Sequence, residues 1–168
     1  MAEITVGGKT VVVRDDLPLR ENNELHYQLL RLDENSTWEE RARALSQCVE
    51  SWGFDGDPTQ VDAWGDLDVF ESLAIEREVT SGKAQVTIRE RFPQRVYGGL
   101  RKAIGRIAQE NMPWKKRVSI LMDFVESWEH EGDVEDVDAW GDLSVSVILA
   151  IEVEALTLLQ AKAIASKN

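Results

Sequence analysis

Several things are scarce in this chain of 168 residues, and each scarcity excludes something. There is a single cysteine, Cys48, so no intramolecular disulfide can form. Its counterpart in the repeat described below is Phe124, which reads the thiol as a small core residue rather than a reactive one. There are two histidines, His26 and His130. Neither has a Cys or carboxylate neighbour at metal-ligand spacing, so both are expected at the surface. No apolar run approaches the roughly 18 residues that a membrane span needs. No apolar leader precedes a small-residue cleavage site. A cytosolic, soluble protein is expected. Between Val118 and Ala161 there is no Lys or Arg, against eleven Asp and Glu.

The net charge is −12, which argues against a general binder of nucleic acid or of anionic membrane. The exception is Arg89–Arg117, with nine Lys/Arg and two Glu, a local +7. Either basic helix faces answer acidic loops within the fold, or the molecule is bipolar and stacks head to tail. A salt-sensitive oligomer would mark the second arrangement.

What the chain has in quantity is self-similarity. Trp38–Glu76 aligns without a gap on Trp114–Glu152, 76 residues later, with 21 of 39 positions identical. VESW and VDAWGDL occur in both stretches, and the six tryptophans pair as 38/114, 52/128 and 64/140. Outside this stretch the match continues at an offset of 75, where Val11, Arg14, Pro18 and Arg20 meet Val86, Arg89, Pro93 and Arg95. The expected architecture is therefore mainly α, a tandem internal duplication of a small helical unit with a short β-hairpin or strand opening each half. The halves are expected as 1–82 and 83–168, with the boundary near Ser81-Gly82-Lys83. Units of about 80 residues are marginal alone, so they should pack on each other.

In order, ITVGGKTVVVR over Ile4–Arg14 alternates about Gly7-Gly8 and predicts a hairpin. Glu21–Leu32 predicts a helix. Thr37 and Glu40 have capping-box spacing and open a second helix. Its apolar face is expected to run Trp38, Ala42, Leu45, Val49, Trp52, with Trp114, Val118, Leu121, Val125 and Trp128 repeating it. Acidic loops follow, then a short helix over Thr59–Trp64. Next comes a helix from Leu67 through Phe70, Leu73 and Ala74 to about Thr80. In the second half a helix over Val96–Gln109 is expected, and Asn111-Met112-Pro113 opens the next one. Asp66 and Asp142 are expected as helix caps, and Asp57 and Asp133 as turn residues. The last helix, Leu143 to about Ala165, is apolar on more than one face. It belongs between the halves or in an oligomer interface.

The search for chemistry finds little. No Ser/His/Asp order, Gly-rich phosphate loop or CxxC is present, and Gly98-Gly99-Leu100-Arg101-Lys102 has the wrong glycine spacing for a phosphate loop. The acidic loops fail the EF-hand pattern, because Gln60 and Asp136 stand at the sixth position and Asp66 and Asp142 at the twelfth. No enzyme, cofactor or metal is expected. Trp38, Trp52, Trp114 and Trp128 read as core. Candidate partner contacts are Trp64 and Trp140 beside glycine, Asp57 and Asp133 in the loops, and Arg101, Lys102 and Arg106 on the basic helix.

One family combines these features: a β entry (ITVGGKTVVVRDDLPLRE), a helix ending in tryptophan (VESW), an acidic glycine-containing loop (GFDGDP), a short helix and a Leu-rich helix (LDVFESLAIE). The pattern resembles the tail assembly chaperones of long-tailed phages and prophages, and it covers most of each half. The resemblance implies a non-enzymatic chaperone in the host cytoplasm. It would coat the tape-measure protein, be displaced by tail-tube subunits, and self-associate. Two tandem copies in one chain depart from the family's pattern, so one chain could stand in for a dimer. Two other classes stay open. An acidic DNA mimic would be displaced from its partner by DNA, and a structural component would persist in purified virions.

Overall fold

The structure, a computed structural model, describes residues 1–81, 86–89 and 91–165, without the side chains of 94, 95, 108 and 162–165. Most of the expected boundary at Ser81-Gly82-Lys83 lies outside the described residues.

The chain opens as predicted. Strands β1 (Ala2–Val6) and β2 (Lys9–Val13) pair antiparallel with Val6 opposite Lys9. The two-residue loop places Gly7 and Gly8 at φ +56° and +76°, a conformation that suits the strand twist and that a side chain would oppose. An isolated hairpin is marginal, and a third strand completes the sheet. That strand is β3, Val49–Trp52, paired antiparallel to β2.

This corrects the expected helix over Trp38–Trp52. Helix α2 covers only Trp38–Leu45, the chain turns through Ser46–Cys48, and VESW is a strand. Leu45, Val49 and Trp52 satisfy a helical period. However, Val49 and Trp52 are also good strand formers, and the open edge of β2 needs a partner. The second half resolves the same way. Helix α6 is Trp114–Leu121, and VESW over Val125–Trp128 (β5) pairs with β4, Val86–Ile88. The registers correspond: Val11 meets Trp52 and Val86 meets Trp128, with a shift one residue later in both ladders.

The remaining helices are α1 (Asn23–Leu30), α3 (Val61–Trp64), α4 (Val69–Thr80), α5 (Gln94–Gln109), α7 (Val137–Asp142) and α8 (Val145–Ala165). The Thr37–Glu40 capping box opens α2 as predicted. The cap of α4 is Asp68, in a capping box with Glu71, and not Asp66. Asp142 ends α7 and pairs with Arg20 instead of capping α8, where the Ser144 hydroxyl accepts from Val147 N–H.

The architecture is mainly α with small antiparallel sheets, and two apolar clusters exchange residues. The first contains Val11, Leu25, Leu29, Leu45, Val49, Trp64, Ile75 and Val79, yet takes Val145 and Leu149 from α8. The second contains Leu100, Ile104, Val118, Leu121, Phe124, Trp140, Ile148 and Ile151, yet takes Leu19 from before α1. Helix α8 therefore packs on both sides, as its near-uniform apolarity requires. Residues 17–20 form a strap across the junction. Val145 N–H donates to Leu17 O (2.8 Å), Leu19 N–H to Leu143 O (2.9 Å) and Arg20 N–H to Gly141 O (3.0 Å). No helix among the described residues is long and apolar enough to cross a membrane.

Candidate functional site

The tryptophans divide by task. Trp52 and Trp64 sit with ring centroids 4.9 Å apart, and Trp128 and Trp140 with centroids 5.0 Å apart. Trp52 Nε1–H donates to Gly56 O and Trp128 Nε1–H to Gly132 O, both at 2.9 Å. Trp64 Nε1–H donates to Pro58 O and Trp140 Nε1–H to Val134 O, both at 2.8 Å. Each indole pair thus anchors one acidic loop to the core. Trp64 and Trp140 were candidate partner contacts. The structure buries both, because their rings close over the sheet and their only polar atom is already satisfied inside.

The loops depend on glycine at Gly56 (φ +85°) and Gly132 (φ +90°). A Cβ on Gly132 would also meet Ala139 Cβ at 2.6 Å. Gly132→Ala should cost at least about 1–2 kcal/mol, the penalty for an L-residue in left-handed backbone. Thermal unfolding followed by near-UV dichroism, which reports the Trp128–Trp140 pair, checks this.

Asp57 and Asp133 lie exposed in turns as expected. Asp57 Oδ1 accepts from Thr59 N–H (2.9 Å) and hydroxyl (2.8 Å), which holds its pKa below the ordinary carboxylate value. Asp133 Oδ1 accepts from Glu135 N–H at 2.9 Å. Arg101, Lys102 and Arg106 are all exposed on α5. Arg106 forms a two-bonded pair with Glu110 (2.7 and 2.9 Å), and that hydrogen bond lowers the Glu110 pKa. Among the described residues no group of three or more His, Cys, Asp or Glu is arranged to hold a metal ion.

Cys48 is buried, as its pairing with Phe124 suggested. Burial pushes its thiol up from 9.0 to about 12, partly offset by the charge of Arg14. The raised value makes the folded state hold the proton more tightly. The stability this lends is therefore complete below pH 9.0 and lost as pH rises through about 12. A thiol reagent at pH 8 should label the native protein negligibly and label one cysteine per chain after denaturation.

His26 was expected at the surface and is fully buried. Its Nε2 lies 3.0 Å from Glu152 Oε2, while Glu152 Oε1 lies 3.4 Å from Arg117 Nη1. The three groups belong to α1, α8 and α6, so they join the two ends of the chain. The corresponding pair 76 residues earlier is Arg41–Glu76, which is only partly buried.

Sequence reasoning missed the most exposed apolar surface. Trp38 is 49% exposed, Val69 61%, Phe70 77% and Leu73 40%. Trp38 is expected in the core, and Phe70 and Leu73 are expected only as positions along the helix from Leu67. In fact α4 carries two apolar stripes. Ile75 and Val79 face the core, while Val69, Phe70 and Leu73 lie on another side. Stepping 100° per residue would have separated them. Trp38 lies against Gly65, which leads into the same helix. Asp62, Asp66 and Asp68 surround this patch in sequence and are exposed. Contiguous exposed apolar surface rimmed by polar groups marks protein contact.

Comparison with known proteins finds no family model, no curated protein and no solved structure that matches this chain.

Proposed function

We propose that the chain is a non-enzymatic tail assembly chaperone of a phage or prophage, built by tandem duplication of one helical unit. In this reading it acts in the host cytoplasm, binds the tape-measure protein, and yields to tail-tube subunits as the tail grows. The observation that carries the protein-binding reading is the unpartnered apolar patch of Trp38, Val69, Phe70 and Leu73 on a chain of net charge −12. An acidic carrier with an apolar contact surface can hold an aggregation-prone client in solution, since its charge opposes further association. The resemblance in sequence supplies the client's identity. Its helix-ending-in-tryptophan element is a strand here, so the acidic loop, the short helix and the Leu-rich helix carry the likeness.

The test is co-expression of the tagged chain with the neighbouring open reading frames, followed by identification of what co-purifies. Recovery of a long helical tape-measure-like chain, with the bait absent from finished particles, is the expected result. Recovery of a DNA-binding enzyme would replace the proposal with the DNA mimic. Persistence of the bait in virions would make it a structural component.

A further inference from the structure

The contact between the two halves is not symmetric. The first half contributes the strap Leu17–Arg20, one face of α1 and part of α4, which packs on α8. The second half contributes α8, the start of α6, α7 and the end of α5. On α1, Asn23 donates to Met112 O, Glu24 accepts from Asn111, His26 meets Glu152 and Tyr27 donates to Gln109 O. Leu30 packs against the second cluster. From the strap, Arg20 reaches Asp138 O (2.6 Å) and Asp142 (2.8 Å), and lies over the Trp114 ring. This is a heterologous contact, in which two different surfaces meet.

Each surface recurs, unpaired, on the other half. At the offset of 75, the α1 residues that face the second half correspond to Gly98, Gly99, Arg101, Lys102 and Gly105 of α5. Arg101 and Lys102 are exposed, and a Cβ added to any of the three glycines would meet nothing within 4 Å. The residues of α5 that correspond to Leu25 and Leu29, which are Leu100 and Ile104, are buried in their own cluster, so the register of the comparison holds. At the offset of 76, Trp114, Val145 and Leu149 correspond to Trp38, Val69 and Leu73. Val145 is 2% exposed and Leu149 3%, against 61% and 40% for their counterparts. Beneath the strap, Leu143 O and Val145 N–H are bonded. Among the described residues, no backbone group bonds their counterparts Leu67 O and Val69 N–H.

From these matched open surfaces we propose that the chain assembles head to tail. The α5 face of one copy docks on the Trp38–Leu73 patch of the next and repeats the contact that joins the halves of one chain. This rests on reading the chain as a protein-binding module and names the partner as a second copy. Charge favours the pairing. Arg101 stands where His26 meets Glu152 and would face the Arg41–Glu76 pair, while Lys102 stands where Tyr27 meets Gln109 and would face the exposed acidic stretch Asp33-Glu34. Gln94 stands in the sequence where the strap carries Leu19, so the contact between copies lacks that apolar anchor and should be reversible. Unpaired ends of this kind generate filaments or rings.

The experiment is sedimentation velocity of the purified full chain across a concentration series. It is repeated for Leu73→Glu, which spoils the acceptor, and Arg101→Glu, which spoils the donor. Both positions are exposed, and unchanged melting curves would show that the variants fold. The wild type should grow with concentration and shrink when salt rises from about 50 to about 500 mM. Each variant alone should stay monomeric. Their equimolar mixture should form a dimer and nothing longer, since one donor and one acceptor survive between them. A wild type that stays monomeric, variants that assemble normally, or a mixture that forms no dimer would each overturn the proposal. Self-assembly without recovery of a tape-measure-like client would uphold the contact and remove the chaperone. The converse result would do the opposite.

Discussion

Arg117→Ala should destabilise the protein by about 3–5 kcal/mol, the loss expected when one partner of a buried ion pair is removed. Arg117 and Glu152 are both essentially without solvent contact. With the guanidinium gone, the Glu152 carboxylate would remain buried beside His26 alone. The loss comes from that stranded charge more than from the attraction itself. Arg117 Nε and Nη2 have no hydrogen-bond acceptor among the described residues, so the pair is incompletely satisfied. The double replacement Arg117→Met with Glu152→Leu should therefore recover much of the loss, because it removes both charges and fills the space. Arg41→Ala, at the corresponding pair, should cost less, since Arg41 and Glu76 keep some access to water. Urea unfolding followed by tryptophan fluorescence would rank the three variants.

Leu19→Ala should cost about 2–5 kcal/mol, the range for removing a fully buried leucine side chain. The residue is fully buried, yet it lies in a strap that leaves the first sheet and enters the second cluster. A loop residue of the first half would thus weaken the packing of Trp140, Ile148 and Ile151 in the second. The strap's backbone bonds to Leu143 and Gly141 would survive the substitution, so the loss isolates the side chain. Equilibrium unfolding should show the midpoint falling with little change in slope, which marks lost stability without a new intermediate. An unchanged midpoint would mean that the strap is not packed as described.

What the sequence disclosed follows from how local each signal is. The hairpin about Gly7-Gly8 and the Thr37–Glu40 capping box are set by residues within a few positions, and both stand as read. The last helix is apolar on more than one face, which placed it between the halves or in an oligomer interface, and α8 contributes residues to both clusters. VESW was misread because four residues cannot distinguish a period of two from one of 3.6, and the deciding factor was the edge of β2. The burial of His26 was hidden because its partners are near the other end of the chain. Trp64 and Trp140 looked available because their satisfying carbonyls lie in loops whose path the sequence does not reveal. The acceptor patch was legible in part. Val69 and Leu73 could have been separated from Ile75 and Val79 by helical angle, but their exposure depends on the absence of a strap over them.

The joining of the two halves by strap, α1 and α8 implies that the chain unfolds as one unit. Differential scanning calorimetry of the dilute wild-type protein tests this most directly. A single transition is expected, with calorimetric and van't Hoff enthalpies equal. Two separable transitions, or a van't Hoff enthalpy near half the calorimetric value, would mean that the halves melt independently and would contradict an interlocked junction.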